Sequence, residues 1–224
     1  MRMLTRFIFA VIALACFAGT ALPAQQGRMI PENIEWTWEV TPDQPQPDLP
    51  NVLLVGDSIT RNYFPSVAKH LSGKANVYLF ATSASLGDPR LEAQLREFFA
   101  MEGKTFRVVH FNNGMHGWKF TEQEYRAAFP GLLHALKAGA PQAKLVWANI
   151  TPVRKDNLTG ATNARIDARN QIASVFTSRR HIPVDDQHAI VAAHPAWYSD
   201  DVHPNAALSE LQGQAAARSI EGLL

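Results

Sequence analysis

One cysteine, Cys16, occurs among the 224 residues, and it lies inside an N-terminal apolar stretch. A chain processed after that stretch would hold none, which excludes disulfides, thiol catalysis and thiolate metal sites. Charge is also scarce: 18% of residues are charged, 21 of them basic and 20 acidic. Without a basic field, nucleic acid and anionic lipid surfaces are not expected partners. Long hydrophobic runs are missing too. Phe7 to Ala21 is too short and too early for a stable span, and no later run reaches the roughly 18 apolar residues that crossing a bilayer requires. No internal repeat or low-complexity tract is present.

What is present at the N-terminus has the layout of a secretory signal, with Arg2 and Arg6 ahead of the apolar stretch. Residues 1–24 are therefore expected to be a signal peptide and the mature chain to be exported, to the periplasm or the medium. Cleavage after Ala21 uses the small residues Gly19 and Ala21; cleavage after Ala24 starts the mature chain at Gln25, and both remain open. Lipidation of Cys16 is disfavoured by Ala13, where a lipoprotein signal prefers a branched aliphatic residue. Loss of Arg2 and Arg6 takes the basic count from 21 to 19 against 20 acidic residues. Residues 25–50, rich in proline and glutamine, read as an arm lying over a single domain of residues 51–224. Trp36 and Trp38 alternate around Thr37, so the arm could supply one edge strand.

Within the domain, apolar runs at Val52 to Val55, Val77 to Phe80, Val108 to Phe111, Leu145 to Ile150 and Ile182 to Val184 predict five strands. Between them, Pro65 to Leu71, Leu91 to Met101, Glu122 to Lys137 and Asn163 to Arg179 carry apolar residues at three- and four-residue spacing, the helical period. Thr121 with Glu124 resembles a capping box, and Gly139 with Pro141 ends that helix. A last helix is expected over Ala206 to Leu224. This alternation predicts an α/β fold, a three-layer α/β/α sandwich around a five-stranded parallel sheet, in which sites collect at the carboxyl ends of strands.

Chemistry-bearing residues fall at those ends. Gly56-Asp57-Ser58-Ile59-Thr60 follows the first strand, and Asp200-Asp201-Val202-His203 precedes the final helix. Together they supply the hydroxyl, imidazole and carboxylate that serine acyl transfer needs. Taken alone, Ser or Asp at a strand end most often caps the next helix, and Asp57 is expected to bond local backbone. Spacing by itself does not decide between Asp200 and Asp201.

From Asn51 onward these blocks resemble the SGNH hydrolases, the GDSL esterases and lipases, and a flavodoxin-like sheet is implied with them. The resemblance assigns Ser58 as nucleophile, His203 as base and Asp200 as its carboxylate. It also implies an oxyanion hole built from the Ser58 N–H, a second backbone N–H and a side-chain donor. Gly87 is the candidate for the second, with Ser85 competing, because glycine lets main chain approach a substrate closely. The third block departs from the family pattern. Asn112 keeps the asparagine but loses the glycine before it, Gly114 to Gly117 puts His116 in its place, and Asn113 is the fallback.

Other residues compete for roles. His116 and Arg154 are candidates for substrate binding, although Arg154 would equally form an ion pair with Asp156 or Asp185. The late cluster Asp185, Asp186, His188, His194, Asp200, Asp201 and His203 has the composition of a metal site but no established metal spacing, so neither metal nor cofactor is implied. Trp118, Trp147 and Trp197 would line a sugar groove or pack in the core. The expectation is an exported serine esterase for small acyl esters, most plausibly deacetylating a carbohydrate. A lipase, lysophospholipase or thioesterase would share every catalytic residue, an acyltransferase would differ only in its acceptor, and a non-catalytic carbohydrate-binding protein is the reading from another class.

Overall fold

The computed structural model describes residues 28–224. The expected signal peptide, both cleavage positions and Cys16 lie outside the described residues. Five strands run parallel: β2 (Asn51–Gly56), β3 (Asn76–Thr82), β4 (Phe106–Phe111), β5 (Lys144–Ala148) and β6 (Val184–Asp185). A sixth, β1 (Thr37–Val40) from the arm, pairs antiparallel with β3, so the sheet is mixed and ordered β1-β3-β2-β4-β5-β6. Val52, Leu53 and Leu54 are wholly buried, as a central parallel strand covered on both faces must be.

The covering helices are α1 (Ser58–His70), α2 (Pro89–Glu102), α3 (Glu122–Gly139), α4 (Asn163–Arg179), α5 (Gln187–Ala192) and α6 (Ala206–Glu221). α1 packs on α6 against one face, and α2, α3 and α4 pack in succession on the other. The three-layer α/β/α arrangement expected from the sequence is thus present, with the edge strand added.

Element boundaries differ where side-chain periodicity is a weak guide. The first helix starts at Ser58 rather than Pro65, because the Asp57 carboxylate accepts the Ile59 N–H at 2.9 Å and caps it. Ile59, Tyr63 and Val67 then form a buried ridge at four-residue spacing, and the helix continues through Pro65. The short α5 is set by its cap, Asp186 accepting from the Ala189 N–H, and is too brief to show a period. The fifth parallel strand is Val184–Asp185 rather than Ile182 to Val184, and Pro183 contributes only its carbonyl, to Trp147 N.

After β2 the chain passes to β3 on one side and then to β4 on the other. The crevice beyond the carboxyl ends of β2 and β4 is therefore the topological switch point at which such sheets bind ligands. Ser58 stands at its rim.

Candidate active site at the switch point

The nucleophile position is built from the end of β2. A side chain at Gly56 would collide with Thr60, so only glycine lets α1 turn back directly over the strand. Ser58 is the first helical residue, and its N–H is one of the amides a helix start leaves without an intrahelical partner. Among the described residues that N–H has no acceptor.

Ser58 Oγ lies 2.8 Å from His203 Nε2, and His203 Nδ1 lies 2.8 Å from Asp200 Oδ2. The other Asp200 oxygen accepts the backbone N–H groups of Val202 and His203, both at 2.7 Å. Partial burial pushes the Asp200 pKa up, but those amides and the His203 ring outweigh it and hold it below the ordinary 3.8. Asp201 is turned elsewhere, accepting from Arg154 Nη2 at 2.6 Å and Nε at 3.2 Å. The Arg154 N–H also donates to the Asp201 carbonyl at 2.8 Å, and the Tyr198 hydroxyl to that of Pro152. The imidazole-bearing loop is in this way fastened to the segment after β5.

The candidate oxyanion groups separate by what they already bond. Asn113 spends its amide on the loop after β3, accepting from Leu86 N–H at 2.8 Å and donating to the Ala84 carbonyl at 3.0 Å. Asn112 donates to the Ala148 carbonyl at 2.6 Å, and its own N–H extends the β2–β4 pairing to Val55. Gly87 has φ of +99°, and a Cβ there would come 2.9 Å from the Phe120 ring, so both backbone and space demand glycine. Its N–H has no acceptor among the described residues. Ser85, its competitor, is buried with its side chain against Gly117.

His116 is held by the arm. Its Nδ1 lies 2.9 Å from Glu32 Oε2, while Glu32 Oε1 accepts the Gly117 N–H at 3.2 Å. The Trp36 ring meets the imidazole edge-on at 5.9 Å. Nε2 is buried and has no partner among the described residues. Burial alone would lower the His116 pKa, but the Glu32 hydrogen bond and the charges of Asp57, Glu32 and Glu35 raise it above 6.5. Glu32 responds in kind: burial opposes its charge, yet the His116 ring and the Gly117 amide draw its pKa below 4.5.

Several expectations need correction. The ion-pair partner of Arg154 is Asp201, through Nε and Nη2, not Asp156 or Asp185. The members of the late acidic and histidine cluster disperse. Asp185 accepts from His110 at 2.8 Å, Asp186 caps α5, His188 lies near Asp167, and His194 bonds the Ile190 carbonyl. Trp147 is core, and Trp118 lies against the guanidinium groups of Arg165 and Arg169. Trp197 is the one of the three left exposed, at 40%.

Two side chains that brace the His116 loop escaped sequence reasoning. Glu32 sits 84 residues from His116 in an arm without periodicity. Arg169 occupies a buried position of α4, between Ile166 and Ile172. Its guanidinium donates to the carbonyls of Gly114, His116 and Gly117 at 2.7, 2.8 and 3.0 Å. An arginine on the apolar face of a helix was the available signal, because a buried charge needs converging acceptors.

Among solved structures, a protein of Slackia heliotrinireducens assigned to the SGNH hydrolases superposes with a TM-score of 0.60 at 20% identity, over 77% of this chain and 100% of that one. The fold is that of the SGNH hydrolases. An acetylxylan esterase of Geobacillus stearothermophilus gives a TM-score of 0.61 at 17% identity, over 76% of this chain and 94% of its own. A GDSL-like lipase of Bacteroides thetaiotaomicron gives 0.61 at 14% identity, over 78% and 89%. No protein-family model and no curated protein matches the sequence. Among the described residues of this SGNH fold, no helix is long and apolar enough to cross a membrane.

Proposed function

We propose that the protein is a serine esterase that hydrolyses small acyl esters, with Ser58 as nucleophile, His203 as base and Asp200 as the group orienting the ring. The observation that carries this reading is the unbroken relay of two 2.8 Å hydrogen bonds from Ser58 through His203 to Asp200. Residues 145 apart in the chain meet there at a switch point. His203 Nε2 takes the hydroxyl proton as Oγ attacks the ester carbonyl, then returns it to the departing alcohol; water repeats the cycle on the acyl-enzyme. The N–H groups of Ser58 and Gly87 are the proposed backbone donors to the tetrahedral oxygen.

A carbohydrate acetate is the substrate best supported. Trp38 is 52% exposed, and the Arg61 guanidinium, one helical turn from Ser58, lies over both Trp36 and Trp38. A half-exposed indole beside a guanidinium suits a sugar ring better than an acyl chain. The acetylxylan esterase among the structural neighbours acts in the same sense. Export to the periplasm or medium, with residues 1–24 as signal and residues 51–224 as the catalytic unit, belongs to this proposal.

The test is hydrolysis of p-nitrophenyl acetate and of acetylated xylo-oligosaccharide by wild type, Ser58→Ala and His203→Ala, with circular dichroism on each. Both variants should keep the fold and lose at least about 10³-fold in kcat. Faster turnover of long-chain esters than of acetate would favour a lipase or thioesterase. Failure of a fluorophosphonate to label Ser58 in folded protein would instead favour a non-catalytic carbohydrate binder.

A further inference from the structure

We propose that Nε2 of His116 is the third donor to the tetrahedral oxygen, and that Glu32, reaching in from the N-terminal arm, is the positioning residue that keeps a proton on it. This rests on the serine esterase reading and adds to it a part of the chain outside the catalytic domain.

Asn113 bridges Ala84 and Leu86 with both ends of its side chain, which turns its amide toward the loop after β3. Asn112 is turned onto the Ala148 carbonyl of β5. His116 alone of the three presents a buried polar atom, Nε2, that no group among the described residues satisfies. A buried polar atom left without a partner is costly, and a catalytic role is one of the reasons a folded protein keeps one. The Trp36 ring bridges His116, 5.9 Å away, and the Arg61 guanidinium of α1 at 5.4 Å, which sets the imidazole on the side of the crevice where α1 begins.

The proton count follows from the Glu32 contact. A carboxylate can only accept, so His116 Nδ1 must carry the hydrogen shared with Glu32 Oε2. In a neutral ring Nε2 would then be a lone pair facing a developing negative oxygen. Only the imidazolium donates from both nitrogens, and a charged donor forms the stronger bond to an oxyanion.

The surroundings favour that form. Glu32 bonds the ring directly, and the charges of Glu35 in the arm and of Asp57 at the junction of β2 and α1 favour its protonated form. The cations nearby act at one remove: Lys119 on Glu32, Arg90 on Glu35 at 3.0 Å, Arg61 over Trp36, and Arg169 on the His116 carbonyl. The ring is also immobilised, by Trp36 at its edge and by Arg169 through the backbone at 2.8 Å. A rigid, precharged donor costs no reorganisation during reaction.

Two protonation states are then required at once, a neutral His203 and a charged His116. Activity should fall on the alkaline side as His116 loses its proton, a limb that Ser-His-Asp chemistry alone does not produce. The experiment is the pH profile of kcat and KM for p-nitrophenyl acetate with wild type, Glu32→Gln, His116→Ala and His116→Asn, alongside NMR titration of ¹⁵N-histidine-labelled wild type. His116→Ala should lower kcat by about 10²–10³-fold with KM little changed. His116→Asn should recover part of that loss and abolish the alkaline limb. Glu32→Gln should move the limb to lower pH.

A wild-type His116 ring that NMR finds neutral at pH 7 overturns the proposal even if no variant folds. So does a folded His116→Ala enzyme with unchanged kcat and limb. If wild type itself neither hydrolyses the ester nor reacts with a fluorophosphonate, it is the esterase reading that has failed.

Discussion

At the scale of single residues, neighbouring carboxylates divide labour by orientation. Asp200 and Asp201 are adjacent, yet one faces His203 and the other Arg154. Asp200→Asn removes the acceptor that fixes the ring tautomer and should cost about 10³–10⁴ in kcat. Asp201→Asn should cost far less in kcat and act through loop mobility, seen as faster amide exchange over residues 198–204. Equal losses from the two would contradict the division. The sequence alone leaves this pair undecided, because one-residue displacement in a loop has no periodic signature, and only the resemblance to a family chose between them. The same limit applies to Asn112, Asn113 and His116, whose roles depend on which acceptors each already meets. Ser58 and Gly56 were legible because the steric demands of a strand turning into a helix are local.

Elements were legible in proportion to their regularity. Helices α2 and α3 announce themselves by period and the arm's four-residue strand by the alternation of Trp36 and Trp38, whereas the one carboxylate the arm sends to His116 has no such signature. The arm's docking carries a pH dependence. The His116 pKa is raised on folding, so its contribution to stability is full below 6.5 and is lost as pH rises through the folded value. The Glu32 pKa is depressed, so its contribution is full above 4.5 and is lost as pH falls through the folded value. Both act fully between 4.5 and 6.5. Hydrogen exchange over residues 28–40, corrected for intrinsic rates, should show strongest protection in that interval and weaken on either side. Glu32→Gln should flatten the dependence.

At the scale of the molecule, the two halves of the relay are carried by the first and last helical segments of the domain, and the packing of α1 on α6 sets their separation. Gly213 lies at a close approach of the two helices: a Cβ there would collide with Ser66 and come 2.7 Å from the Tyr63 carbonyl. Gly213→Val should force the helices apart, costing about 1–3 kcal/mol in chemical denaturation and lowering kcat without touching a reacting group. Arg169→Leu is the counterpart on the opposite face. Stranding three buried carbonyls should cost on the order of 3 kcal/mol and loosen the loop that bears His116. This long-range coupling could not be read from the sequence, where residues 66 and 213 have nothing in common but small side chains.

The sheet also has consequences for how copies of the protein meet. Its two outermost strands are four and two residues long, and stretches so brief give an incoming chain almost no ladder to extend. Concentrated solutions should therefore resist strand-by-strand fibre growth, and self-association, where it occurs, would have to use side chains rather than exposed backbone.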